Sequence, residues 1–417
     1  MKKRICFLLC FLLALQVLSA GALAADTASV LEFGAVGDGL TDDTVSIQKA
    51  LDSSDNVCIP DGIYLIDADK SLQIRSNQKL TMSENAVLKA IPTSSGRSAV
   101  INVSGASSVT ITGGQIIGER DGHLGNSGER GMGIQIVYGS KDVTISNVKI
   151  SGCWGDGLYI GSPTGAADTA VSNITIRNVV SENNRRQGLS ITNASYVTIE
   201  NSEFRNTKGI APGAGIDIEP NLGQAVEYIN IVNTRCSGNA GSGILLAGYK
   251  ETVRNVSVIG CDCSYNGSNG IYAFNASNIN ISGGSLAGNE YGFQIERDVS
   301  NVNISGMDIY GNYGYGIAIY GNRQIRGIGN ITIQDTRVFN NYYIGAIVDN
   351  RDMSGYVSDV SFIGCSFYDD QAKRTQKYGL EAGTEGIVDV RLSDDCVFSG
   401  NTSGPYKGKV STFVKCR

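Results

Sequence analysis

A glycine followed by a short apolar strand recurs along most of this chain, and that repeat limits the possible folds more than any other feature. It occurs at Gly133, Gly157, Gly188, Gly215, Gly243, Gly270, Gly292, Gly316, Gly345 and Gly379, at intervals of 24, 31, 27, 28, 27, 22, 24, 29 and 34 residues. Periods of this length mark a solenoid, in which each unit buries its apolar face only by stacking on the next. The first position after each glycine reads Ile134, Leu158, Leu189, Ile216, Ile244, Ile271, Phe293, Ile317, Ala346 and Leu380. The third reads Ile136, Ile160, Ile191, Ile218, Leu246, Ala273, Ile295, Ile319, Val348 and Ala382. Between them the second position is mixed, so one strand face points inward and the other outward.

Two more short apolar segments fall inside each period. One reads Val143-Thr-Ile145, Ile174-Thr-Ile176, Val197-Thr-Ile199, Ile229-Asn-Ile231 and so on to Ile331-Thr-Ile333. The other is followed by an asparagine at Asn206, Asn239, Asn266, Asn289, Asn312 and Asn341. Asparagine tolerates left-handed turns, and its amide can bond the equivalent residue one coil on. Three strands per coil of about 27 residues, stacked at about 4.8 Å, predict an all-β, right-handed parallel β-helix. With 18% charged residues, 53 glycines and 6 prolines, neither disorder nor long amphipathic helices fit. Cys236 and Cys263 fall in one inward column and read as stacked core thiols; a single histidine, His123, removes most zinc arrangements.

Solenoid ends need covers. Thr41-Asp42-Asp43-Thr44 reads as a helix start with acids in the first turn, and Val45, Ile47, Ala50 and Leu51 give its apolar stripe. Ahead of it, Lys2, Lys3 and Arg4 precede an apolar run from Ile5 to Leu18 and an Ala22-Leu-Ala24 cleavage pattern. This reads as a secretory signal peptide over 1–24, too short to span a bilayer. The expected organisation is therefore signal peptide 1–24, N-terminal cap and first coils 25–100, β-helix coils 101–400 and a C-terminal tail or cap 401–417. The expected setting is secreted, extracellular or periplasmic, with no membrane anchor and a monomeric chain. Cleavage takes the net charge from −6 to −9, which disfavours a nucleic-acid partner but leaves a local basic patch free to meet an acidic polysaccharide.

The run from Phe33 to Thr44 (FGAVGDGLTDDT), then Ile47-Gln48 and Ile59-Pro-Asp-Gly-Ile-Tyr64, resembles the N-terminal module of the pectate-lyase superfamily. That superfamily takes in rhamnogalacturonases, polygalacturonase-like hydrolases, alginate epimerases and some phage tailspikes. With the coil repeats the resemblance covers nearly all of 27–400. It implies a right-handed parallel β-helix and a carbohydrate substrate. It does not supply the catalytic set. Of the polygalacturonase pattern N-T-D, D-D, G-H-G and R-I-K, only Asp156 in Trp154-Gly-Asp-Gly157 matches; Arg186-Gln-Gly188 lacks the acids and Gly213-Ala-Gly215 lacks the histidine. Asn184-Arg-Arg-Gln-Gly188 faintly resembles the epimerases' N-D-R-H-G, without their D-P-H.

Chemistry is best sought in Gly215-Ile-Asp-Ile-Glu-Pro-Asn221, where inward isoleucines leave Asp217 and Glu219 outward on one strand. Residues two apart on a strand lie about 6.5–7 Å apart, a spacing that overlaps retaining and inverting glycosidases alike. One coil earlier come Arg185, Arg186 and Gln187, before them Trp154, Asp156 and Tyr159, and before those Glu129 and Arg130. Tyr272 and Phe274, then Glu296 and Arg297, follow after one coil without charges. The candidate catalytic residues are Asp217, Glu219, Arg186 and Asp156. Arg130, Trp154, Tyr159, Arg185, Gln187, Asn221 and Tyr272 are candidate substrate contacts, with arginines for uronate carboxylates and aromatic faces for sugars.

Two mechanisms fit these residues. In a hydrolase, needing no cofactor, one of Asp217 and Glu219 protonates the leaving oxygen while the other activates water or attacks the anomeric carbon. In a lyase, Asp217, Glu219 and Asn221 hold Ca²⁺, and Arg186 or Tyr159 takes the proton beside the uronate carboxylate. The expected function is cleavage of a uronate-containing, pectin- or alginate-like glycan, by hydrolysis first. A Ca²⁺-dependent lyase or a uronate epimerase is the alternative, and a non-catalytic carbohydrate-binding surface module is the alternative of another class.

Overall fold

The computed structural model describes residues 27–162, 169–249, 253–321, 327–350, 356–383 and 387–414. The expected signal peptide lies outside them. Over the described residues the chain winds as a parallel β-helix of three stacked sheets. The first sheet passes through the strands Arg130–Val137, Leu158–Gly161, Leu189–Ile191, Ile216–Ile218 and Ile244–Ala247. Every pairing is parallel and in phase, so that Gln135, Tyr159, Ser190, Asp217, Leu245 and Tyr272 form one column. The second sheet runs through Lys141–Ser146, Val171–Arg177, Ala194–Glu200 and Val226–Val232, the third through Lys149–Ser151, Val180–Glu182 and Glu203–Arg205.

All twenty residues of the two apolar columns are buried, as the alternation requires. The glycine that sets the period is needed for closeness rather than for turning. A Cβ on Gly243 would lie 2.7 Å from the carbonyl oxygen of Gly270 and 2.9 Å from the Asn266 amide. That amide belongs to a buried ladder: Asn239, Asn266, Asn289, Asn312 and Asn341 each donate through Nδ2 to the Oδ1 or Oε1 of the next rung, ending on Gln376. Asn206 is not a rung. It sits exposed at a left-handed corner, and the main-chain N–H of its neighbour Thr207 donates to the ladder instead. Cys236 and Cys263 are buried free thiols in adjacent coils, as expected.

The cap is a helix over Thr44–Ser53 that buries Ile47, Ala50 and Leu51. Val45 departs from the expected stripe and is 56% exposed. Asp43 departs as well. It stands at the helix N-cap without bonding the helix, and its buried carboxylate accepts from the amides of Val36 and Gly37 instead. The Thr44 main-chain N–H donates its capping hydrogen bond to Asp42 Oδ1. The acidic motif therefore ties the preceding turn to the cap. At the other end, Gly404–Lys407 and Ser411–Phe413 continue the ladders.

Candidate functional site

Asp217 lies on the outward face of the first sheet, as strand alternation predicts, yet it is only 1% exposed. Two neighbours cover it. Gln187, one coil earlier, donates from Nε2 to Asp217 Oδ2 at 2.7 Å while its Oε1 accepts from the Ala214 amide at 2.6 Å. On the following coil Leu245 stands in register, within an apolar cluster of Ala214, Leu245, Ala247 and Phe274. Outward therefore does not mean solvated here. No donor reaches the buried Asp217 Oδ1, and the Asp217 carboxyl lies within hydrogen-bond reach of the Glu219 carboxyl. Burial first, and then the charge of Glu219, hold the Asp217 carboxyl well above the usual range, against the pull of Arg186. Glu219, two residues on, is half-buried and is the carboxyl that solvent meets.

Two coils earlier a second acid lies equally deep. Asp156 is fully buried and accepts from Ser190 Oγ at 2.8 Å and from Arg186 Nη1 at 3.2 Å. Burial pushes it up to about 6 although Arg186 and Ser190 both pull it down. Burial works against the Arg186 guanidinium too, but Asp156, Asp217, Glu129 and Glu219 together hold its pKa above the ordinary value. The expected neighbourhood of Asp156, Arg186, Asp217 and Glu219 therefore comes together, but Arg186 makes its direct bond to Asp156 rather than to the Asp217–Glu219 pair.

Asp156 also affects stability. A carboxyl raised in the folded state binds its proton more tightly there, so its contribution is complete below about pH 4, the unfolded value, and is lost as pH rises through about 6. Thermal melts from pH 4 to 7 should show that loss in the wild type, and Asp156→Asn should lack this component. Parallel curves for the two proteins would refute the assignment.

Several expected substrate contacts are otherwise employed. Trp154 is no sugar platform, because both ring faces are taken: His123 stacks on one, with ring centroids 3.7 Å apart, and the Arg185 guanidinium lies 3.7 Å over the ring. His123 is itself fixed through Nδ1 to Glu119 at 2.9 Å. Arg185 donates to the carbonyls of Gly128 and Trp154, so it clamps a loop. Gln187 positions Asp217. Asn221 donates through Nδ2 to Gln224 Oε1 and to the Ser162 carbonyl. Tyr159 is half-buried on Thr192 at 2.8 Å, and burial raises its phenol. Tyr272 donates to Glu296 at 3.0 Å, and burial with that carboxylate raises it further. Arg130 is exposed and close enough to act on Tyr159. Among the described residues, no cluster of three or more His, Cys, Asp or Glu side chains is arranged to hold a metal.

Sequence reasoning missed Ser190, which anchors Asp156, and Thr192, which anchors Tyr159. Both were legible in principle, since each stands one coil from its partner in the outward columns. It also passed over the clamp on Trp154, whose parts come from three separate loops. Beyond Asp217 the same face carries Tyr272, Phe274 and Tyr249, with Arg297 over the Phe274 ring at 5.1 Å.

A regular stack of parallel coils with acids along one outer face makes this a right-handed β-helical solenoid. The profile of the family described as "Right handed beta helix region" matches residues 56–223 and 223–367, and the chain belongs to that family. It is 32% identical over 246 residues to a Bacillus subtilis (strain 168) protein, YclG, covering 51% of this chain and 42% of that one. It is 29% identical over 263 residues to the pre-neck appendage protein of Bacillus phage B103, covering 57% of this chain and 30% of that one. The matches thus span less than half of either relative. Among solved structures, the A-module of Azotobacter vinelandii mannuronan C-5 epimerase AlgE4 superposes with a TM-score of 0.67 at 19% identity, over 94% of this chain and all of that one. That likeness shows the fold.

Proposed function

We propose that this protein is a polysaccharide-active enzyme that cleaves a uronate-containing glycan by acid–base chemistry on Asp217 and Glu219. The observation that carries the reading is Asp217: a buried carboxyl with no donor on Oδ1, within hydrogen-bond reach of a second carboxyl, Glu219, on the same strand. A carboxyl whose pKa is raised in this way can supply a proton to the leaving oxygen, directly or through one water. Glu219, on the solvent side, is placed to activate water or attack the anomeric carbon. Arg186, partly exposed beside both acids, is the cation for a uronate carboxylate, and Tyr272, Phe274 and Tyr249 extend the face toward further sugar units. The resemblance in fold to a mannuronan epimerase supports an acidic glycan as the substrate class. Export by the N-terminal segment belongs to the same reading.

Ca²⁺-assisted elimination or epimerisation is less well supported on charge grounds. Asp217, whose carboxyl is held toward its neutral form, with the Arg186 guanidinium nearby makes a poor seat for a divalent cation. Activity is therefore expected to survive exhaustive chelation with EDTA; activity lost on chelation and restored by Ca²⁺ alone would replace hydrolysis with the lyase or epimerase reading. The likeness to a phage pre-neck appendage protein favours the second class, a surface module that holds glycan without cutting it. Incubation with pectic, alginate and other acidic glycans separates these. New reducing ends without the unsaturated-uronate absorbance mean hydrolysis, and both signals together mean a lyase. Tight binding with neither signal supports the module.

A further inference from the structure

The second sheet, away from the acidic face, carries a row of left-handed corner residues. Asp142, Asn173, Tyr196, Tyr228, Asn255, Asn278, Asn301, Asn330 and Asp359 follow one another in register, all with φ between 54° and 58°. Asparagine and aspartate suit this backbone, because their short polar side chains bond locally. Here they do so from coil to coil: Asn278 donates to Asn255 at 2.9 Å, Asn301 to Asn278 at 2.9 Å and Asn330 to Asn301 at 2.7 Å. Tyrosine at 196 and 228 is a strained choice that also interrupts the row.

What the two tyrosines build is an exposed aromatic step. Their rings stack with centroids 4.8 Å apart and planes within 2°, at 59% and 43% exposure. The separation equals the spacing of adjacent strands, so the rings stand as parallel plates along the solenoid axis. Where the row returns to the shorter Asn255 and Asn278, the floor drops beside the plates. A groove of about 450 Å³ opens there, with Thr198, Asn230 and Ser257 presented from the strands. This is within the size range of small-ligand sites. No residue lining it carries a formal charge, and the nearby Glu227 and Arg254 neutralise each other in an ion pair.

We propose that the Tyr196–Tyr228 step is a second glycan-binding site, for uncharged sugar units. An aromatic plate beside amide and hydroxyl groups matches a sugar ring, which offers a C–H face and hydroxyl edges. The lining holds no cation, so a uronate carboxylate finds no partner there. The site goes beyond the cleavage reading. It would hold neutral stretches or branches of a glycan whatever the acidic face does.

The test uses the mature protein with two probes, the neutral hexasaccharides cellohexaose and galactohexaose, and pentagalacturonate as the acidic comparison. Saturation-transfer NMR and calorimetry measure binding, and fluorescence of the single Trp154 reports separately on the first sheet. Tyr196→Asn with Tyr228→Asn restores the residue the backbone prefers, so the doubly changed protein should melt no lower than the wild type. It should lose neutral-glycan affinity at least tenfold, roughly the value of two aromatic contacts. Its response to pentagalacturonate should be unchanged. Asn255→Tyr, which extends the stack into the groove, should block the neutral probe while keeping both tyrosines. The proposal is overturned if the wild type binds neither neutral probe, if the double variant binds them as well as the wild type, or if the groove responds to pentagalacturonate instead.

Discussion

Asp217→Asn and Glu219→Gln are each expected to lower turnover on the cleaved glycan by at least about 100-fold, the lower end of what a positioned acid or base contributes. The expectation comes from the division of labour within the pair. Asp217 holds its proton more tightly than a free carboxyl because burial and Glu219 both penalise its charge, and Glu219 faces the solvent from the same strand. Asparagine at 217 can still accept from Gln187 but has no acidic proton to give. Turnover that depends on a protonated Asp217 should fall as pH rises through that raised value. Glu381→Gln is the control. It stands six coils along in the column of Asp217 and pairs with Lys407 at 2.7 Å on the surface, so turnover should be untouched and stability should move by no more than about 1 kcal/mol. If the two site variants retain wild-type turnover, the chemistry lies elsewhere on the face and Asp156 becomes the next acid to remove.

The fold was legible because a solenoid repeats its constraints. Twenty apolar residues in two columns had to point the same way, and a glycine stood wherever two backbones came too close for a Cβ. The site was legible only in outline. Alternation placed Asp217 outward, but whether an outward carboxyl is wet depends on what overhangs it, here Gln187 from one coil and Leu245 from the next. Trp154 fails as a sugar platform for a similar reason. Its covers, His123 and Arg185, lie 31 residues before and after it on different loops, and nothing in a strand pattern announces that contact. Asp43 looked like a helix cap from its neighbours in sequence, while its hydrogen bonds run back to Val36 and Gly37. Local spacing read the backbone well, and side-chain partners drawn from loops are where it stopped.

The largest loss of stability from a single polar change is expected at Asn289→Ala, in the middle of the buried ladder. Its Oδ1 accepts from the main-chain N of Asn266 at 2.9 Å and from Asn266 Nδ2 at 3.1 Å. Its Nδ2 donates to the carbonyl of Cys263 at 3.0 Å and to Asn312 Oδ1 at 3.2 Å. Alanine removes four hydrogen bonds at a position with no access to water, and the Asn266 amide loses its acceptor outright. Buried polar groups left unpaired cost about 1–3 kcal/mol each, so the total should be on the order of 3–5 kcal/mol. Asn301→Ala deletes the same side chain from the exposed corner row, where water replaces the lost bonds, and should cost less than about 1 kcal/mol. Because each coil is stabilised mainly by its neighbours, the damage should also be local at first. Hydrogen exchange at the Asn266 amide should accelerate well before the ends of the helix respond, and the urea midpoint should fall far more for Asn289→Ala than for Asn301→Ala. Equal midpoints for the two variants would mean that the buried ladder follows from the stacking of the coils and does not help to hold them.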